Sequence, residues 1–181
     1  SLGGMTSLSL TGDPDYSSLC KSLTMVDIGI YPNQDGSDRI VEFMRSAQNG
    51  FSSLEEAADY ISDFLPHREK PKDLSGLHKN LRKKDDRFYW HWDPKFLQGR
   101  QGQDIKEYFG HLEKAANFLN IPTLLIRGGL SDVLTEEDKD YFLKVVSHAE
   151  FEEISNAAHM VAGDKNDIFS KAVEKFLVKN N

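Results

Sequence analysis

Residues 121–135 read IPTLLIRGGLSDVLT. Pro122 leads into the apolar run TLLIRG (123–128), which ends in Gly-Gly. A short apolar run bounded by turn residues fits a strand buried on both faces, as in a parallel sheet. Thr135 follows at the cap position of a helix over 135–146, and EFEEI (150–154) reads as the next strand. An amphipathic pattern over 164–178 closes the chain. Working back from residue 121, positions 104–119 form a helix with Tyr108, Leu112, Ala115, Ala116 and Leu119 on one stripe. Near the start, SLTMVDI (22–28) reads as a buried strand ending at Asp27. Before it, LGGMTSLSL (2–10) reads as a short, tightly packed helix, ended by Gly12-Asp13-Pro14-Asp15. Alternation of strands and helices predicts an α/β fold with parallel strands and flanking helices.

A helical block interrupts this alternation. Ser37 is placed to cap a helix carrying Ile40, Val41, Phe43, Met44 and Ala47, with Gly50 just past its end. Ser52 and Glu55 have capping-box spacing, with Phe51 as a staple, ahead of Leu54, Ala57, Ala58, Ile61 and Leu65, and Pro66 stops that helix. Residues 67–87 are polar and less regular. The organisation predicted is 1–36 as the first core segment, 37–103 as an inserted helical cap, and 104–181 as the second core segment.

Composition narrows the function classes. The chain has 181 residues, with 22 Lys+Arg against 29 Asp+Glu, for a net charge of −7. That balance argues against nucleic-acid binding, which favours a basic face. The basic stretch at 67–87, with Arg82, Lys83 and Lys84, runs at once into Asp85 and Asp86 and reads as a solvated surface. Cys20 is the single cysteine, so no disulfide framework forms, which points to a reducing, cytoplasmic setting. No apolar run approaches the ~20 residues of a membrane span. His67, His78, His111 and His148 show no metal-ligand spacing, and His91, between Trp90 and Trp92, reads as packing.

In an open α/β sheet, ligands bind beyond the carboxyl ends of the strands. Asp27 ends the first strand, Asp132 follows the second by four residues, and His159 follows the third. An acid and a histidine on neighbouring loops there can pair, the carboxylate holding the imidazole tautomer needed by a general base. Ser-Leu-Gly-Gly at 1–4, followed by a helix, matches the second half of a G-x-S-x-G nucleophile elbow. Ser1 is then the nucleophile, and the Leu2 N–H is half of an oxyanion hole.

These segments together resemble the C-terminal part of a serine α/β-hydrolase of the esterase/lipase-like type. SLGGM (1–5) resembles that family's G-H-S-x-G-G elbow without its first two residues, and LTMVDIGIYP (23–32) resembles the next strand and its exit loop. IPTLLIRGGLSDVLT resembles the segment presenting the catalytic acid, and NAAHMVAGD (156–164) the segment carrying the histidine, with Ala158 where the family has glycine. The region from Ser37 to Phe96, including GFSSLEEAADYI and FYWHWDP, is similar to the helical lid of a subset of these hydrolases.

The resemblance implies a partial α/β-hydrolase fold lacking its early strands, and a triad of Ser1, Asp132 and His159, with Asp27 as the alternative acid. Phe88, Trp90, Trp92 and Met160 are candidate substrate-pocket residues, although the aromatics equally suit the core of the lid. The implied partner is a small-molecule ester-like substrate, with no cofactor and no metal. Weak or no esterase activity is expected of the 181-residue chain alone, since by this resemblance the strand that leads into the elbow and positions Ser1, and the loop giving the second oxyanion N–H, lie upstream of Ser1. A cofactor-free haloperoxidase side activity fits the same residues. The alternative function is a non-catalytic fragment or a small-molecule-binding module that keeps the hydrolase pocket.

Overall fold

The computed structural model describes residues 1–97 and 105–180. The expected helix start at Asp104 and the expected cap boundary at 103 lie outside the described residues. In chain order the elements are α1 (Leu2–Thr11), β1 (Leu23–Val26), α2 (Gln34–Ser46), α3 (Leu54–Phe64), β2 (Leu81–Lys84), β3 (Arg87–Trp90), α4 (Ile105–Phe118), β4 (Thr123–Gly128), α5 (Glu136–Val145), β5 (Glu150–Ile154), α6 (Val161–Asp164) and α7 (Asn166–Lys179). They divide into two compact units, Ser1–Ser37 with Gln103–Asn181, and Asp38–Gly102.

The first unit is built on a parallel sheet in the order β1-β4-β5. Leu23 pairs with Thr123 and Val26 with Ile126 on one side of β4, and Leu124 with Glu150 and Gly128 with Ile154 on the other. Every residue of β4 is buried, Thr123 and Arg127 included, as expected of a strand covered on both faces. Leu124 and Ile126 face α7, packing with Ile154, Ala157, Val161 and Phe176. Full burial of such a side chain is worth about 1.5–3 kcal/mol, so this cluster is a principal anchor of the sheet. Thr135 caps α5 as expected, in a capping box with Asp138. The expected final helix over 164–178 is α7, Asn166–Lys179; the short helix α6 precedes it, and Lys165 between them leaves the helical conformation (φ −140°, ψ 61°).

A tyrosine pair ties three segments of this unit together. The Tyr31 hydroxyl donates to Glu113 Oε2 at 2.7 Å, and the Tyr141 hydroxyl donates to Oε1 of the same carboxylate. Burial, and then the hydrogen bond to Glu113, push the Tyr31 phenol up to about 12. A phenol raised above its unfolded value near ~10 contributes stability that is complete below that value and lost as pH rises through it toward the folded one. Phenolate absorbance should therefore show Tyr31 titrating near its raised value in the folded protein. Stability measured by denaturant should fall between about pH 10 and 12, and Glu113→Ala should flatten that fall.

The second unit holds most of α2, with α3 and a two-stranded antiparallel hairpin of β2 and β3. Its core is Ala47, Phe51, Ala57 and Leu81, with Leu54, Tyr60, Leu77, Phe88 and Trp90 packed against it. Trp90 meets Phe51 edge-on, with ring centroids 5.5 Å apart. Phe88 and Trp90 are thus partly buried against the core of this unit.

Three local expectations are corrected here. The helix expected from Ser37 begins at Gln34, because Asn33 Oδ1 accepts the Gly36 N–H at 3.2 Å. The capping box expected at Ser52 and Glu55 does not form: Ser53 caps α3, its Oγ accepting the Glu56 N–H at 3.1 Å, and Glu56 reaches back to the N–H of Ser52, the residue before the cap. The segment expected to be irregular over 67–87 contains β2 and the turn of the hairpin. Asp85 and Asp86 turn it with φ of 48° and 61°, the left-handed pair that a two-residue hairpin loop needs.

Candidate active site

The carboxyl ends of β1, β4 and β5 bring the polar residues together, and Asp27 is their centre. It is fully buried at the end of β1, with its N–H bonded to Ile126 O at 2.7 Å. Its backbone is left-handed, with φ of 52°. Such a conformation costs about 1–2 kcal/mol for a residue with a Cβ, and it persists only where the surroundings over-determine it. Here they do. Oδ1 accepts the Gly128 N–H at 2.8 Å, while Oδ2 accepts the Ser131 hydroxyl at 2.5 Å and lies 2.9 Å from His159 Nδ1.

His159 is held from both sides of its loop. Leu130 N donates to Ala157 O at 2.8 Å, and Ala158 N donates to Asp164 Oδ2 at 2.8 Å. Gly128 allows this close approach, because a Cβ there would lie 2.4 Å from Ala158 O and 2.6 Å from Ala157 O. The His159 side chain is 17% exposed while Asp27 is 0% exposed. An ionised Asp27 makes Nδ1 the protonated ring nitrogen, which leaves Nε2 with a free lone pair.

Of the two acids considered, it is Asp27, the alternative to Asp132, whose carboxylate lies 2.9 Å from His159 Nδ1. The loop after β4 turns Ser131 inward to Asp27, and the backbone of Asp132 packs instead against the start of α2. A Cβ on Gly36 would lie 2.1 Å from Asp132 O, and Asn33 N donates to Val133 O at 2.9 Å. Ser131 was not anticipated as a site residue. In the motif Gly-Gly-Leu-Ser-Asp the charged member is the evident candidate from sequence, whereas the buried Ser131 hydroxyl is the group that meets Asp27.

Ser1 caps α1, with its carbonyl accepting the Met5 N–H at 3.1 Å, and its amino nitrogen lies 3.5 Å from Val26 O, one residue before Asp27. Burial lowers the pKa of that amine, against the opposing pull of Asp27. Leu2 is the first helical residue, so its N–H has no acceptor within the helix. Met160, next to His159, is 56% exposed. Trp92 is half-buried, just past β3 in the second unit.

A parallel sheet with an acid and a histidine at its carboxyl edge, behind a helix entered from a serine, defines part of an α/β-hydrolase fold. The solved structures it is similar to include E-2-(acetamidomethylene)succinate hydrolase, at a TM-score of 0.80 and 16% identity, covering 98% of this chain and 64% of that one. A hydrolase described as putative from Rickettsia typhi matches at 0.77 and 20% identity, over 100% and 61% of the two chains. An esterase from Mycobacterium tuberculosis matches at 0.73 and 24% identity, over 98% and 58%. The chain thus spans 58% to 64% of the length of these structures and corresponds to the C-terminal portion of their fold. No protein-family model matches the sequence, and no curated protein matches it. Among the described residues, no helix is long and apolar enough to cross a membrane.

Proposed function

We propose that the protein hydrolyses ester-like bonds of a small molecule, with Ser1 as nucleophile, His159 as general base and Asp27 as the acid that orients it. The observation that carries this reading is the 2.9 Å contact between His159 Nδ1 and the buried Asp27 carboxylate. That pairing fixes the tautomer in which Nε2 takes the proton from a serine hydroxyl. The Ser1 oxygen attacks the substrate carbonyl carbon, and its proton passes to His159. The resulting oxyanion is met by the Leu2 N–H at the start of α1. The carbonyl re-forms as the bond to the alcohol breaks, and the alcohol leaves with the proton from His159. Water repeats the sequence on the acyl-serine ester and frees Ser1. The second unit is inserted in sequence between Asp27 and Ser131, at the place of the helical cap expected from the sequence. The similar structures described as hydrolases and esterases support the reaction class.

A fluorophosphonate probe tests the nucleophile in the complete polypeptide. The expected adduct maps to Ser1 and disappears in Ser1→Ala, and His159→Ala slows labelling by ~10²–10⁴-fold, the contribution of a general base. Labelling that persists in Ser1→Ala overturns the assignment.

A further inference from the structure

We infer that Ser131 is the positioning residue of the Asp27–His159 pair, an inference that rests on the function proposed above. The Ser131 side chain is buried, and all of its hydrogen-bonding capacity is used. Its oxygen accepts the N–H of Val133 at 3.1 Å and of Leu134 at 3.3 Å. A hydroxyl has one proton and two lone pairs, so with both lone pairs occupied the proton has a single destination. That destination is Asp27 Oδ2, at 2.5 Å.

The same oxygen faces His159 Nδ1. Asp27 therefore receives donors from three separate segments: Gly128 at the end of β4, Ser131 in the next loop, and His159 in the loop after β5. The terminal torsion of an aspartate is soft and broad. Gly128 alone pins one carboxylate oxygen, and the carboxylate can pivot about it. Ser131 pins the other, which sets the plane in which the imidazole binds. The loop that provides Ser131 is itself anchored by buried Arg127. Its Nε donates to Leu134 O at 2.7 Å, and its guanidinium pairs with Glu136 and Glu153 at 2.6 Å each. Ser131 thus transmits the rigidity of the sheet edge to the aim of His159.

A turn-forming serine with no part in positioning would leave the His159 ring unaffected, and magnetic resonance of the complete polypeptide separates the two roles without requiring activity. The Nδ1–H proton of His159 is expected far downfield and slow to exchange with water. In Ser131→Ala its exchange should quicken at least about tenfold, the equivalent of ~1.4 kcal/mol of lost hydrogen bonding. Ser131→Thr, which keeps the hydroxyl, should restore the slow rate. Ser131→Cys, close in shape with a weak S–H donor, should fall between them and gives the reading if the alanine variant does not fold. Ser1→Ala should leave the signal unchanged, so failure of the nucleophile assignment does not imitate failure of this one. A His159 Nδ1–H signal with the same position and exchange rate in Ser131→Ala, or in Ser131→Cys if that variant must be used, overturns the role.

Discussion

Asp27→Asn is expected to lower the rate of ester hydrolysis by the complete polypeptide ~10⁴-fold while leaving the fold in place. The size of the loss follows from the donors around the side chain. Gly128 N–H, the Ser131 hydroxyl and His159 Nδ1 all approach the Asp27 carboxylate, which accepts at both oxygens. An asparagine offers one oxygen and one NH₂. With its oxygen toward Gly128, the NH₂ faces His159 and draws Nδ1 into the acceptor role. The ring proton then moves to Nε2, the nitrogen needed as base. With the amide reversed, two N–H donors confront each other at Gly128. Either orientation removes the catalytic tautomer or costs stability of about 1–3 kcal/mol for the mismatched donor. Far-ultraviolet circular dichroism matching the native protein, with the rate lost, is the expected pair of results.

Gly128→Ala is expected to be the most damaging small substitution in the sheet. The added methyl would lie 2.4 Å from Ala158 O and 2.6 Å from Ala157 O, and both contacts are backbone. No side-chain rotation relieves them. Either the end of β4 parts from β5 at the Gly128–Ile154 pair, or the Ala157–His159 segment moves away. Overpacking of this kind costs about 1–3 kcal/mol, and the rigid neighbours here place it at the upper end. The segment that moves also carries His159, and a displacement near ~1 Å costs ~10²-fold in rate. Denaturant unfolding should therefore show a lower midpoint at unchanged slope, with hydrolysis impaired beyond what the unfolded fraction explains. A variant as stable as the native chain would contradict the close approach that seats His159.

The strands and the cap of α5 were legible because each rests on a local rule. TLLIRG is buried throughout, and Thr135 with Asp138 closes its box within four residues. The hairpin of the second unit was missed because its strand Leu81–Lys84 is mostly exposed and strongly basic, without the alternation that marks a half-buried strand. Its turn signal, two consecutive aspartates in left-handed backbone, is weaker than an Asn-Gly or Asp-Gly pair. The site was legible as a set of strand ends but not as a pairing. Asp27 and Asp132 both follow strands in the chain. Which of them meets His159 depends on the left-handed turn at Asp27 and on Ser131 pointing inward. Those are tertiary outcomes spanning 104 and 132 residues of separation, and no local pattern encodes them.

The central claim is that Asp27 is the carboxylate that orients His159. Its most direct test is the fluorophosphonate labelling rate of Ser1 in Asp27→Asn and Asp132→Asn, measured side by side in the complete polypeptide. The expected result is a collapse in Asp27→Asn and a change under about tenfold in Asp132→Asn, less than ~1.4 kcal/mol of barrier. Near-native labelling in Asp27→Asn together with collapse in Asp132→Asn would contradict it.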